Sequence, residues 1–240
     1  MKNNLILTLA LLTAGPLLAA DSTPKDDVTS AATALGAQPN YSWRTTVDAG
    51  SGGRFRPGPT EGKTEKGGYT ALTLTFNNDT TQVVIQGTNA AVKTADEGWQ
   101  SAAEVAQDNS GGGPNPARFA AFMAQGFKSP ADQAATLATQ AKDLSAGTNG
   151  ISGDLTEEGA KALLTFRRGP NGGGPNVSNA KGTVTFWLTD GKLVKFQTHV
   201  TGTVSFNGND RDMDRTTTTE IKDVGTTKVE VADDAKKKLE

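Results

Sequence analysis

Thr183-Val184-Thr185-Phe186-Trp187-Leu188-Thr189-Asp190-Gly191-Lys192-Leu193-Val194-Lys195-Phe196 reads as two strands and a turn. Val184, Phe186 and Leu188 share one parity, and Asp190-Gly191 is a residue pair that tight hairpins favour. A two-residue turn there would pair Leu188 with Leu193 and Phe186 with Lys195, splitting the apolar set across both faces of the sheet. A three-residue loop, Thr189-Asp190-Gly191, instead pairs Leu188 with Lys192, Phe186 with Val194 and Val184 with Phe196. Only this second register keeps the apolar side chains together, so the pattern predicts a type I turn followed by a glycine bulge. It also sets Trp187 opposite Leu193 on the other face, among Thr183, Thr185, Lys195, Gln197 and His199. Two large apolar groups on a polar face call for a cover, a helix or a ligand.

Outward from this hairpin the chain stays extended. Val194, Phe196, Val200, Val204 and Phe206 share parity, Asn207-Gly208 signals another hairpin, and a bend at Gly202 predicts a strongly curved antiparallel sheet. Near the other end, Tyr41, Trp43, Thr45 and Val47 alternate with polar residues as one strand. Tyr69–Phe76, with Leu72, Leu74 and Phe76 on one face, and Val83-Val84-Ile85 make two more around an Asn77-Asn78-Asp79-Thr80 turn. Ala90–Thr94 adds a short strand, and Thr148–Leu155 reads as extended.

Helices separate these β regions. Thr23-Pro24 with Asp26 and Asp27 starts one that carries Val28, Ala31, Ala32 and Leu35, with Gly36 as its stop. Trp99, Ala102, Ala103 and Ala106 stand at i, i+3, i+4 and i+7. Asn115-Pro116 opens a helix with Phe119, Phe122 and Met123 on one stripe, and Ser129-Pro130 opens another with Ala134, Leu137, Ala138, Ala141 and Leu144. Thr156-Glu157-Glu158 caps a short helix through Leu163 and Leu164. The class is therefore α+β. The Gly- and Pro-rich stretches at 49–68, 109–115 and 167–180 read as exposed loops within one domain over 21–240.

Residues 1–20 read as a signal peptide: Lys2, an apolar run from Leu5 to Ala14, Gly15-Pro16, and small residues before Asp21. Asp21 is not a lipobox cysteine, so the expectation is release into the periplasm or medium as a monomer without a lipid anchor. The chain has no cysteine, which excludes disulfides, thiolate metal sites and thiol nucleophiles. Loss of Lys2 leaves 23 basic residues against 26 acidic ones, so a nucleic-acid partner is not expected. No later apolar run reaches the ~20 residues of a membrane helix.

Catalytic signatures are sparse. One histidine, His199, rules out a paired-histidine zinc motif, and no serine stands in a G-x-S-x-G elbow. Asp210, Asp212 and Asp214 begin like a calcium loop, but Arg215 replaces the glycine and Ile221 the final glutamate. Gly111–Asn115 and Gly172–Asn176 are copies of GGGPN that lack the Lys-Ser/Thr of a phosphate loop, and read as linkers. Arg167-Arg168 beside the second copy reads as a solvated loop or a contact with an anionic headgroup or partner. Trp43, Trp99, Phe119, Phe122, Met123 and Trp187 are the large apolar groups that pack a core or line a cavity.

Three stretches carry a resemblance: Ala91-Val92-Lys93-Thr94-Ala95-Asp96-Glu97-Gly98-Trp99, Asp154-Leu155-Thr156-Glu157-Glu158-Gly159-Ala160-Lys161, and Val224-Gly225-Thr226-Thr227-Lys228-Val229-Glu230-Val231. With the order of elements, they resemble the periplasmic lipoprotein-carrier superfamily, the LolA/LolB and LppX-like group. The resemblance implies an antiparallel half-barrel with helices over its concave face and an apolar cavity for acyl chains. It also implies a non-enzymatic carrier of a hydrophobic or acylated ligand that needs no cofactor. Its cavity would be lined by Trp43, Trp99, Phe119, Phe122, Met123, Leu137, Trp187 and Leu193. The alternative is an envelope protein–protein interaction module with a filled core, and a hydrolase using His199 is a third reading.

Overall fold

The computed structural model describes residues 22–49, 57–76, 79–94, 98–108, 115–165, 175–206 and 208–240. The leader reading, Arg167-Arg168 and most of both GGGPN copies lie outside these residues. Helix α1 (Pro24–Ala37) leads into β1 (Asn40–Asp48), β2 (Pro57–Glu65), β3 (Thr70–Phe76), β4 (Asp79–Gln86), β5 (Asn89–Thr94) and β6 (Gly98–Ser101). Then come α2 (Ala102–Gln107), α3 (Pro116–Gln125), α4 (Pro130–Gln140), β7 (Ala141–Gly147), β8 (Gly150–Leu155) and α5 (Glu157–Leu164). Three long strands, β9 (Asn176–Thr189), β10 (Lys192–Phe206) and β11 (Asn209–Lys222), precede a short α6 (Asp233–Lys237).

All eleven strands form one open antiparallel sheet in the order β6-β5-β4-β3-β2-β1-β11-β10-β9-β8-β7. The expected α+β class and curved antiparallel sheet are present, and five helices lie over one face. Their starts follow the expected chemistry. Thr23 and Asp26 form a reciprocal capping box on α1, while Asn115, Ser129 and Thr156 cap α3, α4 and α5 through their side chains. Helix α1 runs one residue past Gly36, so that glycine is not its stop.

Five sequence expectations are corrected. The stretch 49–68, read as a loop, contains β2, which pairs on both sides with β1 and β3. The stretch 167–180 likewise gives way to strand at Asn176. Ala141 and Leu144 fit a helical stripe but belong to β7, because the chain turns extended after α4 and pairs with β8. Trp99 belongs to β6 and pairs with Lys93, since Gly98 at φ 75° turns the chain before α2 begins.

The fifth correction is the hairpin. Asp190 and Gly191, at φ 50° and 70°, form a two-residue turn, and Lys192 pairs with Thr189 and Leu193 with Leu188. The register then slips between Leu193 and Lys195, so Phe196 pairs with Phe186 and Lys195 with Trp187. The bulge that reunites the apolar residues thus sits at Val194 inside β10, not in the turn. A second shift between Thr201 and Thr203 coincides with Asn179 at φ 55° on β9. It lies where Gly202 lets Leu164 of α5 come close: a Cβ there would be 2.8 Å from Leu164 Cδ1.

Candidate functional site: the helix-covered face of the sheet

Alternation places one set of side chains from every central strand under the helices. Cross-strand pairing lines up Val92, Val83, Leu72, Gly62, Trp43 and Ile221 in one row across β5 to β11. A second row runs Thr60, Thr45, Thr219, Phe196, Phe186 and Ile151 from β2 to β8. Phe186 is fully buried and lies 6.4 Å, centroid to centroid, from Phe196. In the middle of that row the Thr45 and Thr219 hydroxyls meet at 2.9 Å, which satisfies two polar groups with each other.

Trp43 lies flat on β2. An ideal Cβ on Gly62 would fall 2.1 Å from its ring, so only glycine leaves the indole this position. Tyr41 stands 5.7 Å from Trp43, and Phe127, in the α3–α4 connection, stacks on the indole at 6.0 Å with planes 24° apart. The Tyr41 hydroxyl has its pKa raised by burial, an effect opposed by its hydrogen bonds with Ser129 and Ala131.

The covering side is built differently. Buried positions on α3 are Ala120, Ala121 and Ala124 alone; on α4, Ala131, Ala134 and Ala138 accompany Pro130 and Leu137. Helix α1 presents Ala31 and Ala32 between Val28 and Leu35. Helix α3 is thus the one that buries only alanines, whereas α1, α2, α4 and α5 also bury Val28, Leu35, Val105, Leu137 and Leu164. Arg215 of β11 reaches the same layer, where its Nη2 donates to the Leu163 carbonyl of α5, and burial lowers its pKa.

The eight residues expected to line a cavity do not share one place. Trp43, Leu137 and Leu193 are buried in the core between sheet and helices, and Phe119 packs partly against it, edge-on to Phe76 at 4.7 Å. Phe122 is half-buried with the Arg118 guanidinium 5.6 Å from its ring centroid, and Met123 is 46% exposed. The alanine stripe of α3 takes the inward face with Phe119 at its margin and leaves Phe122 and Met123 aside.

Trp187 and Trp99 lie on the opposite face of the sheet. Trp187 is covered by Lys195, whose Nζ stands 3.8 Å from the ring centroid, while Leu193 points inward; the bulge separates the two. Trp99 joins Tyr69, Val84 and Ala91 under Val231, Ala235 and Leu239 of the C-terminal segment. That segment is tied down by Asn89 Nδ2 donating to the Leu239 carbonyl at 2.7 Å and Val229 N–H donating to Glu65 Oε1 at 2.9 Å. Phe127 and Gly62 escaped the sequence reading. The only available signal was a glycine amid a strand-length polar run.

Two shallow clefts, of about 410 and 400 Å³, open among the described residues. One flanks the Val194 bulge, with Trp187, Lys195, Glu220 and Ile221 among its walls; the other adjoins Gly202, with Lys181, Asp212 and Met213. Neither is lined by a helix residue. His199 is exposed on the outer face, its Nε2 2.8 Å from Asp214 Oδ1, and Asp212 accepts from Thr203 at 2.9 Å. The described residues contain no cluster of three or more His, Asp or Glu able to hold a metal, and no helix long and apolar enough to cross a membrane.

The chain matches no known protein family and no curated protein. Among solved structures it is similar to lipoprotein LppX of Mycobacterium tuberculosis, at 11% identity and a TM-score of 0.47, covering 88% of this chain and 99% of that one. It is also similar to LprF from Mycobacterium bovis, at 10% identity and a TM-score of 0.46, covering 88% of this chain and 97% of the other.

Proposed function

We propose that residues 21–240 form a non-enzymatic binding protein that holds the apolar chain of a hydrophobic or acylated ligand against the helix-covered face of the sheet. Export by the leader at 1–20, with no anchoring cysteine after it, makes it a released carrier in the periplasm or medium. One observation carries this reading: the fully buried positions of α3 are all alanines, while β4 and β5 beneath it supply the larger Val83 and Val92. Burying a Leu, Val or Phe side chain contributes about 1.5–3 kcal/mol, and an alanine methyl well under that. A helix whose fully buried positions are Ala120, Ala121 and Ala124, with Phe119 its one large side chain against the core, lifts at lower cost than one anchored by several buried leucines, and it uncovers the apolar side chains of β4 and β5. The ligand supplies the contacts that the alanines do not.

The test is native mass spectrometry of protein purified from the cells that make it, and again after mixing with palmitate. A retained one-to-one lipid adduct is the expected result. Protein that stays unliganded under both conditions defeats the proposal.

A second reading, an interaction module with a filled core, draws on both clefts lying away from the helices. It draws also on the outer face, where Glu61, Arg44, Glu220, Lys195 and Trp187 alternate in one cross-strand row. Pull-down from an envelope extract distinguishes the two: a carrier brings lipid, and a module brings protein alone.

A further inference from the structure

The helix layer divides into two groups. Helices α2 and α3 pack on each other and over β4 and β5, whereas α1, α4 and α5 gather over β7 to β10. Residues 126–129 join the groups, and Phe127 rests on Trp43 of β1. The indole is thus held between the β2 backbone at Gly62 and a phenyl ring from the joining segment. Tyr41, one alternation away on β1, is buried in the same core, and Ser129 at the far end of the joining segment caps the start of α4. The two attachments differ in kind. Ser129 is fixed as the cap of α4, its hydroxyl accepting from the Asp132 N–H at 3.2 Å, whereas Phe127 is only partly buried and follows the alanine-faced α3.

We propose that Phe127 is a built-in occupant of the ligand site. On binding, it leaves the Trp43 indole, and a saturated acyl chain enters between the two helix groups and lies in its place. This rests on the carrier reading and adds where the chain lies and what it displaces. The row Val83, Leu72, Gly62, Trp43 and Ile221 crosses five strands without a charged residue. At the usual strand spacing it spans roughly 19 Å. Half of a bilayer's hydrocarbon core is about 15 Å, so one lipid chain fits along the row. Apart from the Trp43 indole N–H, the side chains of this row offer no partner to a charged or hydrogen-bonding group, which selects the chain over the headgroup.

Trp43 itself can report the event. With Trp99→Phe and Trp187→Phe, Trp43 is the sole tryptophan of three, and 9,10-dibromostearate quenches an indole on contact. Titration of this protein should quench Trp43 saturably. Adding Phe127→Ala removes the competing occupant and should tighten the apparent Kd by about 10-fold. Phe127→Leu, which keeps bulk but not the stacked ring, should fall between and serves where the alanine variant folds poorly. Quenching unaffected by either variant overturns the proposal. So does quenching confined to Trp99 or Trp187 in the complementary single-tryptophan proteins. If mass spectrometry still shows a one-to-one adduct in those cases, the carrier reading stands and only this site falls. Absence of any adduct and of any quenching removes both.

Discussion

Gly62→Ala is a small substitution with a large expected effect. The added Cβ would stand 2.1, 2.2 and 2.6 Å from Trp43 Cζ2, Cε2 and Cη2, all parts of a rigid ring. The indole cannot yield by a rotamer adjustment at its tip, because Phe127 and Tyr41 flank it. Overpacking of this kind costs about 2 kcal/mol. In a chain of this size that lowers the Tm by roughly 4–8 °C.

Urea denaturation followed by circular dichroism measures it, with Gly126→Ala as the control. Gly126 has nothing within 4 Å of a built Cβ and an ordinary φ of −105°, so that change should stay within about 0.5 kcal/mol of neutral. In a Trp43→Leu background the ring is gone, and Gly62→Ala should become neutral or stabilising by about 0.5 kcal/mol through its effect on the unfolded chain. The resulting coupling between the two positions is about 2.5 kcal/mol. Equal costs for Gly62→Ala and Gly126→Ala, or no change of cost in the Trp43→Leu background, would refute the reasoning.

Three further outcomes concern other parts of the fold. Leu239 is 4% exposed and covers Val84, Ala91 and Trp99, so Leu239→Ala should cost about 2 kcal/mol in the same urea assay. Deleting residues 228–240 should shift Trp99 emission to the red; an unchanged spectrum would contradict the covering role. The Asp26 carboxylate accepts from the Thr23 hydroxyl at 2.7 Å and the Thr23 N–H at 3.2 Å, and these bonds lower its pKa. A depressed folded-state pKa stabilises above the ordinary aspartate range, and that contribution disappears as pH falls through the lowered value. Carboxyl NMR titration should show Thr23→Ala returning the Asp26 pKa toward the ordinary aspartate value.

Much of the fold is legible because periodicity and capping act locally. The hydroxyl-Pro pairs at Thr23-Pro24 and Ser129-Pro130 mark helix starts without tertiary help, and Leu72, Leu74 and Phe76 alternate as a half-buried strand must. What was missed depends on partners. Pro57-Gly58-Pro59-Thr60-Glu61-Gly62-Lys63-Thr64-Glu65 has poor strand propensity and becomes a strand only between two neighbours that pair with it. Its Gly62 is required by an indole on a different strand.

The hairpin shows the same limit. The need to reunite Phe186 with the other apolar residues was readable, but a bulge in the strand and a bulge in the turn satisfy it equally on paper. Trp187 lies on the face the pattern assigns it, away from Phe186, and differs only in its cover, while Trp99 leaves the helix whose spacing it fits and joins β6. Here a lysine and the C-terminal segment cover them from the other side.

The sheet order also sets a schedule for folding. Strands β1 to β6 form one meander and β7 to β11 another, and within each every pairing is between consecutive strands. The meanders meet only where β1 pairs with β11, so Trp43 waits for Ile221, almost 180 residues later in synthesis. Until then the first meander presents β1, with Tyr41 and Trp43, as an open edge, a template for pairing with another copy. Loop closure of that length is slow relative to local pairing. The step that completes the apolar row across Trp43 is therefore also the one during which the nascent chain most needs protection from its own kind.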